Sequence, residues 1–289
     1  MHRKIKIALI QMKSGPSVEF NLAKAIRNVK EAAKRGAQII SLGELYRTTY
    51  FPQTRNPGHF RLAEPLKGAT TMVFRQMAIN LRVVIIAPIF ERASLKRFYN
   101  TAVVIDANGS IAGVYRKTHL PNDPRFYEKF YFKPGDLGFT VCKTRYGKIG
   151  VLICWDQWFP EAARILALQG AQILFFPTAI GRYSKQPKQE WKKEQSAWET
   201  IQRAHAIANG IYLAAINRVG TEGKLHFWGR SFLSGPFGEI IARANERDED
   251  IVIATCNTSE IRKVRKVWPF LRERRTDAYQ RLTGPFTNS

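Results

Sequence analysis

The amino-acid sequence predicts an α/β fold, a sandwich of mixed β-sheets with helices packed against them. Three observations predict it. In the first half of the chain, short apolar runs of strand length alternate with amphipathic segments of helical period. Hairpin signals are woven through the same half, the clearest being Asn108-Gly109 between two apolar stretches. No internal repeat, low-complexity segment or long linker interrupts the 289 residues. A single domain over 1–289 is therefore expected, ending in a basic C-terminal extension at about 258–289.

Residues 4–12 read as a first strand. A helix is predicted over 19–34, where Phe20, Ala23, Ile26, Val29 and Ala33 fall at helical spacing and Gly36 closes the segment. A second buried strand, 37–42, runs straight into Gly43-Glu44. A helix over 70–80 and a strand over 82–90 follow, and strands 99–106 and 110–115 flank the Asn108-Gly109 turn. Beyond a loop over 116–137, two strands are expected around Tyr146-Gly147. The central strand that follows them, 149–153, is aliphatic apart from Gly150, the mark of a strand buried on both faces. It stops at Cys154. After Trp155, Asp156, Gln157 and Trp158 come Pro160 and Glu161, residues suited to the first turn of a helix. A strand over 171–176 ends at Pro177-Thr178-Ala179, and a long polar helix covers 189–209. Further strands are expected at 211–217, near 228–234, at 239–243 and at 250–256. In RKVRKVWPFLRERR (262–275), Val264, Val267, Trp268, Phe270 and Leu271 recur at near-helical spacing, which predicts a packed helix with a basic outer face.

The charge balance is lopsided: 46 Lys+Arg against 23 Asp+Glu, a net +23. Such a balance raises the prospect of an anionic partner. The basic residues are scattered, however, and no nucleic-acid-binding motif accompanies them, so a solvated basic surface is the favoured reading and a nucleic-acid partner is not expected. Cys142, Cys154 and Cys256 are far apart with no CxxC pair, which argues against a disulfide framework or a structural zinc site. The first residues lack the pattern of a signal peptide, and no stretch approaches the roughly 20 apolar residues of a membrane span. The expectation is a soluble cytoplasmic protein without a membrane partner.

One event recurs three times. A buried strand ends and a reactive side chain follows at once: Glu44 after AQIISLG, Lys117 after IAGVYR, Cys154 after GVLI. Strand ends are where α/β sheets bind ligands. A thiol between a strand and a helix start can be shifted toward thiolate. A carboxylate beside it can accept its proton and later activate water, and an ammonium can hold an oxyanion. The rival arrangement is Cys–His with His119 or His205 as base, while His2, His59 and His226 have no catalytic context. A reading from another class is a basic, catalytically idle protein that holds a polyanion.

Glu44 in GELYRTTYF, Lys117 in YRKTHLP and Cys154 in ICWDQWFPEAAR together resemble the Glu-Lys-Cys triad of the nitrilase superfamily of carbon–nitrogen hydrolases. YEKFYFKPGD, LQGAQILFFPTAIG and FWGRSFLSGPFGEIIA extend the resemblance over about residues 4–280, toward the branch that acts on N-carbamoylputrescine. It implies a four-layer αββα sandwich that self-associates into homodimers or larger assemblies, with no metal or organic cofactor. It implies that Glu128 is a second carboxylate supporting Lys117 or the substrate, and that the Trp155 N–H joins the oxyanion hole. The implied reaction turns N-carbamoylputrescine and water into putrescine, carbon dioxide and ammonia. N-carbamoyl-β-alanine or ω-amide hydrolysis are the alternatives within the superfamily. Relatives that take carbamoyl amino acids carry arginines just after the cysteine, where Asp156 and Gln157 stand here, which suits a neutral or cationic tail. Tyr50, Phe126, Glu128 and Asp156 are therefore expected around the pocket mouth, with Thr178 and Ala179 as further substrate contacts. The stretch RYSKQPKQEWKK (182–193) is more basic than such a mouth leads one to expect.

Overall fold

The computed structural model describes residues 3–284, so His2 and residues 285–289 of the expected extension lie outside the described residues. The first part of the chain comprises β1 (Lys4–Gln11), α1 (Val18–Lys34), β2 (Ile39–Ser41), α2 (Ala69–Leu81), β3 (Val84–Ser94), β4 (Arg97–Ile105) and β5 (Ile111–Arg116). The middle adds α3 (Glu128–Tyr131), β6 (Cys142–Lys143), β7 (Lys148–Val151), α4 (Pro160–Leu168), β8 (Ile173–Pro177), β9 (Gly181–Tyr183) and α5 (Lys188–Asn209). The last part holds β10 (Tyr212–Ile216), β11 (Val219–Glu222), β12 (Leu225–Trp228), β13 (Phe232–Ser234), β14 (Ile240–Arg243), β15 (Asp250–Asn257) and α6 (Thr258–Val267).

Two mixed six-stranded sheets result, in the orders β15-β1-β2-β3-β4-β5 and β14-β13-β10-β8-β7-β6. In each, the central strands pair in parallel and the outer ones antiparallel. Strand periodicity explains the layers. From β1, Ile5, Ile7 and Leu9 enter a core shared with Ile149, Val151, Ile173 and Leu213 of the second sheet. Ala8 and Ile10 point the other way, onto Ala25 and Val29 of α1 and Phe74 and Met77 of α2. Helices α4 and α5 cover the second sheet through Ala162, Leu166, Trp198 and Ala206. The sheets are thus buried on both faces, which is why their central strands read as unbroken apolar runs. The αββα sandwich is the observed fold.

Several local expectations are corrected. On α1, Phe20 is 57% exposed and carries Lys24 and Arg27 over its ring, while Asn21, Ala25, Val29 and Ala32 face inward. Asn21 takes the inner position because its amide bonds Gly15 and the Arg47 carbonyl. The loop over 116–137 contains α3, and the chain forms a third, three-stranded sheet (β11-β12-β9) that no periodicity signalled, its strands being too short. The basic helix stops at Val267, because the residue before Pro269 resists helical geometry. Its inner face is Thr258, Ile261 and Val264, whereas Val267, Trp268 and Phe270 are exposed. Among the described residues no helix is long and apolar enough to cross a membrane.

Candidate active site

Glu44, Lys117 and Cys154 meet where the two sheets face each other. Glu44 follows β2, whose ladder continues one bond further through Leu42 N–H to the Ile86 carbonyl. Lys117 is held from both sides: its N–H donates to Asn100 O at 2.8 Å and its carbonyl accepts from Gly135 N–H at 2.8 Å. A Cβ on Gly135 would stand 2.0 Å from the Arg116 carbonyl, so only glycine permits this clamp. Cys154 opens a tight turn over Cys154–Trp158 that leads into α4, and it sits in the left-handed region at φ 44°. For a residue with a side chain, that conformation costs about 1–3 kcal/mol and is maintained by its surroundings.

The maintaining group is Asp156. Its Oδ2 accepts from Ile153 N–H (2.9 Å) and the Tyr115 hydroxyl (2.8 Å), and its Oδ1 lies 3.0 Å from His119 N and 2.8 Å from His119 Nδ1. Gln157 braces the turn from below: its Oε1 accepts from Trp198 and Gln202 of α5 (2.9 Å each), and its carbonyl lies 2.7 Å from His205 Nε2. Trp155 is the second residue of that turn, where the first backbone N–H groups lack intrahelical acceptors.

Glu44, Lys117 and Glu128 are fully buried and form one chain of charge. Lys117 Nζ stands 2.8 Å from Glu44 Oε1 and 2.8 and 2.7 Å from the two oxygens of Glu128. The Tyr50 hydroxyl donates to Glu128 Oε1 at 2.7 Å, and Asn100 Nδ2 donates to Glu44 Oε1 at 2.7 Å. Glu44 Oε2 has no partner at all among the described residues. Burial alone pulls the Lys117 ammonium's pKa down, but the Glu128 and Glu44 carboxylates outweigh it and hold it well above the ordinary lysine value. Burial pushes Glu128 up to about 7, against the pull of Lys117. Burial, then Glu128 and Glu44, raise Tyr50, which stays a hydrogen-bond donor.

The Cys154 thiol donates to the Ala179 carbonyl at 3.9 Å. Here the expected shift toward thiolate is corrected. Burial and the Glu44 charge raise the thiol's pKa well above its ordinary value, and Lys117 only partly offsets them. A second anion beside Glu44 is too unfavourable to persist at rest, so sulfur loses its proton only as a neighbouring base takes it. The residue keeps 4% of its surface open.

The residues 6–266 match the model of the carbon-nitrogen hydrolase family. The chain is a carbon–nitrogen hydrolase. It is 42% identical to the N-carbamoylputrescine amidase of Oryza sativa over 288 residues, covering 96% of this chain and 94% of that one. It is 39% identical to a citrullinase of Francisella tularensis, covering 98% and 99%. A carbon–nitrogen hydrolase crystal structure from Helicobacter pylori G27 superimposes with a TM-score of 0.95 at 43% identity, covering 99% and 100%. These similarities place it in the nitrilase superfamily.

Other residues of the hydrolase lie differently from expectation. Asp156 is not at the pocket mouth: it is buried, and all its acceptor capacity holds the turn. His119 stacks on Phe159 at 3.6 Å and His205 on Phe176 at 6.2 Å, and neither hydrogen-bonds the sulfur, which disfavours the Cys–His alternative. Thr178 is buried with its hydroxyl donated to the Phe176 carbonyl, so it offers no free donor to a substrate. Tyr50 and Ala179 line an aromatic cluster with Phe227, against which Phe126 and Tyr183 pack, half-buried. Three residues escaped sequence reading: Asn100, which orients Glu44, and the buried pair Arg218–Glu222. None has a local signature: Asn100 lies 56 residues from Glu44 and Arg218 lies 174 from it, and the four-residue spacing of Arg218 and Glu222 falls outside any helix. Among the described residues no group of three or more His, Cys, Asp or Glu side chains is placed to hold a metal ion.

Proposed function

We propose that this hydrolase converts N-carbamoylputrescine and water to putrescine, carbon dioxide and ammonia, with Cys154 as nucleophile. The observation that carries the reading is the unpartnered, buried Glu44 Oε2 beside a neutral thiol. Glu44 takes the thiol proton as sulfur attacks the ureido carbon. The oxyanion that forms is stabilised by the Lys117 charge and the Trp155 N–H. Glu44 returns the proton to the departing nitrogen, ammonia leaves, and a carbamoyl thioester remains on Cys154. Glu44 then deprotonates a water that attacks the same carbon, the C–S bond breaks, and the proton returns to sulfur. The released carbamate loses carbon dioxide to give the amine. Glu128, braced by Tyr50, keeps Lys117 charged throughout.

Similarity to plant amidases of that name supports the substrate, and aromatic Tyr50, Phe126 and Tyr183 suit an aliphatic chain. One observation favours a second ureido substrate, citrulline. The Arg125 guanidinium lies 5.8 Å from the Tyr183 ring at the edge of that aromatic cluster, where it could meet a carboxylate. The reading includes self-association through the outer helices, supported by Ile165 and Leu168 of α4, 37% and 42% exposed, and tested by analytical ultracentrifugation. The deciding assay is ammonia release from N-carbamoylputrescine, citrulline, N-carbamoyl-β-alanine and a dicarboxylate ω-amide, with Cys154→Ala as control. The highest kcat/KM is expected on N-carbamoylputrescine, with no turnover by the variant. A preference for any of the acids overturns the substrate assignment, and turnover by Cys154→Ala overturns the mechanism.

A further inference from the structure

Arg218 is a guanidinium in an unusual place. It is 2% exposed, follows β10, and touches neither the thiol nor Lys117 through any hydrogen bond. Its Nη1 pairs with both oxygens of Glu222 at 2.7 and 2.8 Å. Its Nη2 donates to three carbonyls of one loop, those of Glu44 (3.2 Å), Leu45 (2.6 Å) and Thr48 (2.9 Å). The Phe227 ring lies 5.5 Å from the guanidinium carbon. Glu222, on β11, has a further role: its Oε2 accepts the Tyr50 N–H at 2.5 Å. One buried ion pair therefore grips the backbone on both sides of the charge cluster, at the residue that carries the free carboxylate oxygen and at the residue that braces Glu128.

The loop needs such a grip. Leu45 stands in the left-handed region at φ 48°, a conformation that residues with a side chain hold only when their surroundings impose it. Relaxing it would rotate the peptide that follows Glu44 and swing the carboxylate. The planar fork of an arginine reaches several carbonyls and a carboxylate together, which a lysine ammonium on its flexible stem does not reproduce. We propose that Arg218, with Glu222, is a positioning residue for the proton-transfer step: it sets where Glu44 and Tyr50 stand relative to Cys154. It rests on the reading of Glu44 as the proton acceptor.

Two readouts test it. The first is kcat and KM on the best ureido substrate for Arg218→Lys, Glu44→Gln and the double variant. The second is the pH dependence of Cys154 alkylation by iodoacetamide, followed by mass spectrometry of the Cys154 peptide, which needs no substrate. Arg218→Lys should lower kcat about 10–100-fold, the scale of a sub-ångström to ångström misplacement, with KM changed less than about twofold. The double variant should be no slower than Glu44→Gln, because an arginine that acts through Glu44 has nothing left to position. Arg218→Lys should also shift the alkylation profile in the same direction as Glu44→Gln. If Arg218→Lys does not fold, Glu222→Gln, which keeps the size of the acceptor, is measured in its place with the same expectations. An unchanged kcat per folded enzyme, or losses that multiply in the double variant, would overturn the proposal. Should the wild type hydrolyse no ureido compound, the substrate reading fails, and the alkylation profiles still decide the role of Arg218.

Discussion

Two buried carboxylates, Glu44 and Asp156, lie on either side of the same sulfur in sequence and have opposite fates. Both are fully excluded from solvent. Asp156 meets donors at both oxygens: two at Oδ2, and the His119 backbone and ring nitrogens at Oδ1. Glu44 has one oxygen held by Asn100 and Lys117 and one with no hydrogen-bond partner among the described residues. Burial alone therefore does not separate a catalytic acid from a structural one. Between these two carboxylates the difference is unmatched acceptor capacity, which leaves the Glu44 oxygen available to a proton or a water. Asp156 stabilises a turn, and Glu44 keeps the free oxygen that the proposed mechanism assigns to proton transfer.

That contrast can be broken by exchanging each carboxylate for its amide. Glu44→Gln has the largest expected effect on rate: kcat should fall about 1,000-fold, within the range for loss of a general base, while the melting temperature changes little, since the amide oxygen can still accept from Asn100 and Lys117. Steady-state kinetics beside differential scanning calorimetry check this. If Glu44→Gln keeps a tenth of the wild-type kcat, the free oxygen is not the base. Asp156→Asn should do the reverse in emphasis. Its new NH₂ would face N–H and O–H donors, so stability should drop by about 3 kcal/mol and the melting temperature by roughly 5 °C. Equal stability for the two amide variants would erase the distinction.

The smallest effect sharpens the pH side of the comparison. Glu128 titrates at about 7, raised chiefly by burial, and its ionised form is the partner of Lys117. Activity should therefore decline as pH falls through about 7. The Tyr50 hydroxyl donates to that ionised form and so lowers the Glu128 pKa. Tyr50→Phe should move the acidic limb of the kcat profile to higher pH and cost only a few-fold in rate at pH 8, consistent with the loss of about 1 kcal/mol of hydrogen bonding. An acidic limb that stays in place would show that Glu128 does not control it. For stability the sign runs the other way: a carboxyl with a raised folded pKa binds its proton more tightly in the fold than in the open chain. Its contribution favours the fold at low pH and is lost as pH rises from about 4.5 through about 7.

Much of the site was legible because each reactive residue ends an apolar run. Ile39–Ser41, Ile111–Arg116 and Lys148–Val151 are strands in the structure, and Glu44, Lys117 and Cys154 stand just beyond them. Glu128 was legible only through family resemblance, as it lies in a polar loop whose short helix has no periodic signal. Arg218, Glu222 and Asn100 were invisible for a different reason. The Glu44 loop held by Arg218, the Tyr50 N–H held by Glu222 and the Glu44 carboxylate held by Asn100 are all distant in the chain, and nothing in RVGTEG or RFYNTA marks these contacts. Asp156 misled because the identity of a residue after a cysteine carries a charge but not a direction. The backbone turn aims that charge inward, onto Ile153 N–H.

By itself, then, the order of residues determined the strands of the two main sheets and the longer helices, that both sheet faces are buried, and which three side chains sit at strand ends. Those are consequences of local periodicity and of where apolar runs stop. Only the tertiary structure decided which carboxylate oxygen remains free, that the thiol is neutral at rest, and that one arginine holds two arms of the site. Hydrogen-bond satisfaction and pKa depend on every group within a few ångströms, and those neighbours come from chain positions as far apart as Glu44 and Arg218.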